Sequence, residues 1–395
     1  MKKIVKPFYI PFSLPANQIE MIFSFAEITS WRKLHWWAVQ SPKLFKTAAG
    51  AKGMGCFGYP SHPVFEITTN CNLKCNGCHA NGGEKLYEEM TTDEAKKVIK
   101  GLSKIDDFRM LVLTGGEPFL RKDFFTLVRY AKDLGFYPTI ASNGTLLSKD
   151  IAKELKKAGI TGMALSIDSV DPAKHDLLRG VEGSFDKVLD GIKILKEEGL
   201  YIQANVTLSK SNYSEIDELL KLSDSLNAHV ILLYQFIPTG RGKDLYEVAL
   251  NKDELYNVIE KTYSMQKNLK PVISPIGLPE YWAYVFSKNG NYSRSMKKYF
   301  PGCIAGKGMF YIKPNGDVWP CAFLPIKAGN VLEEDPYDIW TKSEVFLSLR
   351  DRSNLKGKCG DCNYKDVCGG CRARAYAFSN DFLSEDPLCP LKLSV

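Results

Sequence analysis

Residues 64–84 read VFEITTNCNLKCNGCHANGGE. A short run rich in β-branched residues, Val64 to Thr69, leads straight into Cys71, Cys75 and Cys78, spaced Cys-x3-Cys-x2-Cys. Such a run between polar segments reads as a strand, so the thiols lie on the loop that follows it. Three thiolates at this spacing can wrap one metal ion or one iron–sulfur cluster. Zinc held by the three cysteines and His79 is the alternative. His79 adjoins Cys78 directly, which makes chelating the same ion awkward. Three ligands also leave one position of a four-coordinate site open.

Outward from this loop a β/α alternation begins. Thr91 with Glu94 forms a capping box that starts a helix over TTDEAKKVIKGL. MLVLTGG is a buried strand ending in glycines, and DFFTLVRYAKDLG is a helix closed by Gly135. YPTIASNGT, GMALSID, YIQANVTLS and HVILLYQF read as further strands. KDIAKELKKAG (ending at Gly159), SFDKVLDGIKILKEEG and SEIDELLKLSDSL read as the helices between them. Short apolar strands between amphipathic helices imply a parallel sheet with right-handed crossovers. Six such units predict an α/β fold, a partial (β/α)6 barrel over residues 61–240. Active residues are expected at the C-terminal ends of its strands, where the cysteine loop lies.

Residues 1–60 are expected to form an aromatic-rich helical extension, with Ile22, Phe25 and Ile28 on one face. One reading packs it over the main domain. The other makes it an interfacial membrane helix or a lid over an apolar substrate, because Trp31, Trp36 and Trp37 sit beside Arg32, Lys33 and His35. Residues 241–300 read as a helical connecting region. Residues 301–395 hold seven cysteines and read as a small domain that needs metal in place of a core.

The chain has 395 residues, 45% hydrophobic and 25% charged, the composition of a soluble globular protein. Its net charge of +7 is modest, and no basic stripe with interleaved aromatics occurs, so nucleic acid is not expected as a partner. No signal peptide and no 18-residue apolar run is visible, which predicts a cytoplasmic protein. There, eleven clustered cysteines favour metal or redox chemistry over disulfides.

Cys71, Cys75 and Cys78 after the first strand, with Gly115-Gly116-Glu117-Pro118 after the second, resemble the radical S-adenosylmethionine superfamily. The resemblance implies a [4Fe–4S] cluster on the three cysteines, its fourth iron left for S-adenosylmethionine. One electron then cleaves the sulfonium, and the 5′-deoxyadenosyl radical abstracts a hydrogen from substrate. Gly115, Gly116, Glu117 and Pro118 match the family's methionine-binding motif. The glycines let the backbone approach the ligand, and Glu117 can accept from its ammonium group. By the same resemblance, Ser142, Asn143, Ser166 and Asp168 are candidates for the ribose hydroxyls and the methionine carboxylate. Arg179 is a candidate to pair with that carboxylate. A surface ion pair is its other reading. Many members place an aromatic before the third cysteine, over the adenine; here that position is Gly77.

The C-terminal pattern is Cys303-x12-Gly316-x4-Cys321, then Cys359-x2-Cys362-x5-Cys368-x2-Cys371, then Cys389. It resembles the SPASM extension, and the resemblance implies two auxiliary iron–sulfur clusters of the [4Fe–4S] type. The resemblance assigns Cys303, Cys321 and Cys371 to the first and Cys359, Cys362, Cys368 and Cys389 to the second. The first is then one thiol short, which implies an open iron or a non-cysteine ligand, with Cys56 the spare thiol.

The tail looks most like radical enzymes of alternative haem biosynthesis, which remove carboxyl or acetate side chains from iron porphyrinoids. A maturase acting on a ribosomal peptide or protein side chain is one alternative. A radical enzyme acting on a lipid or another apolar small molecule is a second. A ferredoxin- or flavodoxin-type electron donor is implied in each case. Tyr234, Gln235 and Arg241, after the sixth strand, are expected to line the substrate pocket or cap its rim.

Overall fold

The computed structural model describes residues 61–391, apart from 109, 161, 267 and 290–301. The N-terminal extension and Cys56 lie outside the described residues. Strand β1 (His62–Glu66) buries all five of its residues, as a strand covered on both faces does. It pairs in parallel with β2 (Met110–Thr114), and β3 (Tyr137–Ser142), β4 (Gly162–Ser166), β5 (Tyr201–Leu208) and β6 (Val230–Gln235) follow in chain order. Between them run α1 (Thr92–Leu102), α2 (Phe124–Asp133), α3 (Lys149–Lys157), α4 (Pro172–Arg179), α5 (Ser184–Glu197) and α6 (Ile216–Ser225). The expected capping box starts α1: Glu94 N–H donates to Thr91 Oγ1 at 3.3 Å, and Thr91 N–H donates to the Glu94 carboxylate at 2.8 Å. Ala95, Val98, Ile99 and Leu102 recur at helical spacing and form its buried face.

The sheet extends beyond the six expected strands. Val272–Ile276 forms β7, parallel to β6. Pro275 inside that run argues against a strand. It is tolerated because β7 is the last strand of the sheet, so one of its edges makes no ladder bonds. The region read as a helical connector therefore supplies α7 (Lys252–Met265) and a barrel strand.

The cysteine-rich tail also departs from the expectation of a coreless domain. Its strands β8 (Met309–Ile312), β9 (Asp317–Trp319) and β10 (Gly329–Asn330) join the same sheet, with β8 parallel to β1. The order is β10-β9-β8-β1-β2-β3-β4-β5-β6-β7. Phe310 stacks on Phe346 with centroids 5.7 Å apart, and Trp340 meets Phe108 of the barrel at 5.0 Å. Trp340 lies on α9 (Pro336–Lys342) and Phe346 on α10 (Glu344–Arg350). The tail thus shares the barrel's apolar core.

Two buried ion networks tie the tail down. Lys313, just past β8, pairs with Glu66 of β1 at 2.5 Å, both side chains 2% exposed. Burial pushes the Glu66 carboxyl up, and Lys313 and Tyr311 pull it back. Beyond the short α11 (Gly357–Asp361), helix α12 (Arg372–Ser379) carries Arg374. Its guanidinium bonds Asp386 through two nitrogens at 2.7 and 2.6 Å, Glu280 at 2.9 Å and Gly277 O at 2.7 Å. Glu280 opens α8 (Glu280–Asn289).

Two carboxyls thus share one buried cation, and burial first, then Asp386, pushes Glu280 from 4.5 up to about 8. Between those values the folded chain holds a proton that the unfolded chain has released. Stability therefore falls as pH rises through this window, by at most about 1.4 kcal/mol per pH unit for the one proton. Urea midpoints measured from pH 5 to 8 are expected to fall less steeply for Glu280→Gln than for the natural chain. Equal slopes would remove Glu280 from this role.

Candidate functional site

The expected site residues gather at the C-terminal ends of the parallel strands. Cys71, Cys75 and Cys78 follow β1, and Gly115 to Pro118 follow β2. Ser142 and Asn143 close β3, Ser166 and Asp168 close β4, and Arg179 ends α4. Backbone bonds lock the first two loops together: Gly116 N–H donates to Thr68 O at 2.8 Å, and Glu117 N–H to Asn70 O at 2.7 Å. A Cβ at Gly116 would lie 2.3 Å from Asn70 O, so only glycine allows this approach. Glu89 accepts from Thr69 N–H at 2.6 Å and from the hydroxyls of Thr69 and Thr68 at 2.7 and 2.9 Å, which fixes the entry to the cysteine loop.

Each of the three sulfurs has a donor. Leu73 N–H points to Cys71 Sγ at 3.4 Å, Gly82 N–H to Cys78 Sγ at 3.3 Å, and Arg179 Nη1 to Cys75 Sγ at 3.8 Å. Burial pushes the Cys71 thiol up to about 11 and raises Cys78 as well. Those thiols need a positive partner to ionise, which a bound cluster supplies. Among the described residues, no group of three or more His, Cys, Asp or Glu is spaced to hold a single metal ion. His79 turns its Nε2 to Tyr311 Oη at 3.2 Å.

The Arg179 side chain is 13% exposed, and its Nη2 pairs with Asp168 Oδ2 at 2.6 Å. Asp168 Oδ1 accepts from Thr207 N–H at 2.8 Å, and Asp168 N–H donates to His175 Nδ1 at 3.2 Å. Arg179 Nε is buried without a partner among the described residues. An orphaned guanidinium N–H beside a buried aspartate suits an anionic ligand group. Glu117 is fully buried, and its carboxylate accepts from Ser142 Oγ at 2.9 and 3.0 Å, Asn143 N–H at 2.9 Å and Phe119 N–H at 3.3 Å. Burial nevertheless pushes Glu117 up to about 7. The Ser142 hydroxyl proton is committed to Glu117. Asn143 Nδ2 reaches back to Asn72 Oδ1 at 2.9 Å and ties β3 to the cysteine loop. Ser166 is half-buried at the end of β4.

Two residues have clearer places than sequence reasoning gave them. Arg241 clamps the cysteine loop: Nη1 donates to Cys75 O at 2.7 Å, Nη2 to Gly82 O at 2.6 Å, and Nε to Glu84 at 2.8 Å. Phe236, just past β6, fills the space beside Gly77, where a Cβ would lie 2.7 Å from its ring. Position 77 is glycine because an aromatic ring from another strand already lies there. The only sequence signal was the aromatic after HVILLYQ.

No disulfide joins any of the ten described cysteines. Cys303, Cys321 and Cys371 share an apolar cluster with Ile237, Leu324 and Leu349. Burial, then Glu280, raises the Cys368 and Cys389 thiols, and Cys359 lies close enough to raise both further, with Cys389 pushed up to about 12. Cys362 Sγ accepts from Tyr364 N–H at 3.4 Å. Asp386 touches both groups: its carboxylate accepts from Cys371 N–H at 2.7 Å, and its own N–H donates to Cys359 Sγ at 3.3 Å. A cavity of about 710 Å³ opens between the cysteine loop and the tail. His79, Arg241, Lys243, Trp319, Phe323 and Tyr376 are among its walls. Tyr234 and Gln235, expected there, do not line it, although Tyr234 touches the wall residue Phe323, with centroids 6.1 Å apart.

Among the described residues no helix is long and apolar enough to cross a membrane. Residues 65–223 match the model of the radical SAM superfamily, and residues 303–363 match that of an iron–sulfur cluster-binding domain, SPASM. The chain is 38% identical to the AdoMet-dependent heme synthase of Methanosarcina barkeri, over 82% of this chain and 95% of that one. It is 34% identical to the AdoMet-dependent heme synthase of Nitratidesulfovibrio vulgaris, over 83% and 92%. Streptococcus suis SuiB, solved with S-adenosylmethionine bound, shares the fold with a TM-score of 0.66 at 22% identity, over 85% of this chain and 76% of that one.

Proposed function

The chain belongs to the radical SAM superfamily, with a SPASM iron–sulfur domain as its C-terminal extension, and from that premise we propose that it removes carboxyl-bearing side chains, or their carboxyl groups, from an iron porphyrinoid in haem synthesis. Similarity along nearly the whole length of a haem synthase carries this reading. The cavity between the cysteine loop and the SPASM tail is the proposed substrate site, with Lys243 on its wall to face substrate carboxylates.

The residues at the barrel mouth fit the family's cofactors. Cys71, Cys75 and Cys78 would hold the cluster, and the Gly115–Gly116 backbone, Glu117 and Arg179 would receive S-adenosylmethionine. When bound, these groups supply one-electron reductive cleavage and hydrogen abstraction. The chain's own part is positional. The amides of Leu73 and Gly82 and the Arg179 guanidinium stabilise thiolate charge. Arg241 holds the loop in one shape, and Phe236 presents an apolar wall beside Gly77 that excludes water. Phe236 also replaces the aromatic that many members carry at position 77, which makes it the proposed adenine neighbour. Cys303, Cys321 and Cys371 would hold one auxiliary cluster, and Cys359, Cys362, Cys368 and Cys389 the other. A ferredoxin- or flavodoxin-type protein is the proposed electron donor.

The test is anaerobic turnover with a reductant, S-adenosylmethionine and a panel of carboxylate-bearing iron porphyrins, with a peptide control, read by mass spectrometry. Loss of carboxyl or acetate groups from a porphyrin, matched by 5′-deoxyadenosine, is expected. Turnover of the peptide alone, or of neither, would overturn the haem reading.

A further inference from the structure

A chain of buried polar groups runs from the ion pair that joins the two halves of the sheet to the wall of the cavity. Lys313 Nζ donates to Glu66 Oε2 at 2.5 Å. Tyr311 Oη donates to the other oxygen, Glu66 Oε1. Tyr311 is 1% exposed, and its hydroxyl carries a single proton, which this bond uses. The contact between His79 Nε2 and Tyr311 Oη, at 3.2 Å, must then have the imidazole as donor. In the neutral ring that proton is on Nε2, which leaves the lone pair on Nδ1.

Nδ1 has no hydrogen-bond partner among the described residues. The imidazole forms part of the cavity wall, its centroid 5.0 Å from that of Phe323, another wall residue. A neutral imidazole that donates one N–H to a carboxylate-backed partner is the arrangement that supports histidine bound to a metal. The same lone pair would repel a substrate carboxylate, so it suits an electron-pair acceptor. Neither the thiols nor the cation walls of the cavity perform that task.

We infer that His79 is the protein ligand to the iron of the substrate, held in the required tautomer by Tyr311 and Glu66. The inference rests on the iron-porphyrinoid reading above. No bond to the macrocycle changes in this step: Nδ1 donates an electron pair to the iron and replaces a weaker axial ligand. Tyr311 and Glu66 act as positioning residues, and His79 alone touches the metal.

The experiment uses the full chain with its clusters reconstituted under anaerobic conditions. Ferric coproporphyrin III and metal-free coproporphyrin III are titrated separately, and binding is followed by the Soret band and by the electron paramagnetic resonance of the ferric iron. The natural chain is expected to bind the iron form about tenfold or more tightly over the metal-free form, with a histidine-ligated spectrum. His79→Ala should remove both the preference and the signature, and added imidazole should restore the signature. Iron and sulfide content, measured on the same sample, shows whether the adjacent Cys78 still holds its cluster. Tyr311→Phe changes no residue of the cysteine loop and is expected to weaken binding of the iron form about tenfold, leaving the metal-free form unchanged. Equal binding of both porphyrins by the natural chain, or an unchanged spectrum in His79→Ala, would overturn the ligand assignment while leaving the haem reading intact. If the natural chain binds neither porphyrin, the haem reading itself fails, and the ligand assignment falls with it.

Discussion

Cys75→Ala is expected to reduce 5′-deoxyadenosine formation to background in the reconstituted enzyme, with or without substrate. Cys75 is the middle thiol of the loop, and its surroundings serve that sulfur: Arg179 Nη1 points at Sγ, and Arg241 grips its carbonyl. Removing the thiol leaves Arg179 with one partner fewer, and its buried Nε already has none among the described residues. A cluster that needs three protein ligands then has two, so the loss is of the site rather than of its tuning. Cys362→Ala, in the tail, should spare the cleavage reaction and instead lower iron content and substrate turnover. The comparison is made by chromatography of the nucleoside product under dithionite. Retained 5′-deoxyadenosine formation in Cys75→Ala would refute the ligand role of that thiol.

The barrel was legible because its signals are local. Capping at Thr91, alternation along Tyr201–Leu208 and the motif glycines each predict an element from a few neighbouring residues. β7 was not legible, because its proline is acceptable only at an edge, and edge position is a property of the whole sheet. β8 and β9 are four and three residues long, too short to show a period. Their place beside β1 depends on the aromatic core and on the contacts of Glu66 with Lys313 and Tyr311, which join residues more than 240 apart in the chain. The site divides the same way. The cysteines and Gly115–Pro118 are contiguous motifs. Phe236 beside Gly77, and Tyr311 behind His79, are pairings across strands that spacing does not encode.

Arg374→Ala is expected to destabilise the folded chain by about 3–5 kcal/mol, because it leaves buried carboxyl groups without their cation. Arg374 is 3% exposed, and both carboxyl partners are fully buried. Arg374→Lys should recover only part of the loss, since an ammonium cannot reproduce the two-nitrogen grip on Asp386 or reach Glu280 and Gly277 O together. The consequence extends to the metal sites. Asp386 holds Cys371 N–H from one proposed auxiliary group and donates to Cys359 Sγ of the other. Loosening Asp386 should therefore lower the iron retained by both tail groups together, while the barrel's three thiols keep theirs. Urea unfolding of the metal-free chain measures the first effect, and iron per chain after reconstitution measures the second. A variant that unfolds at the natural midpoint and holds full iron would show that the buried arginine neither supports the fold nor sets the cysteines.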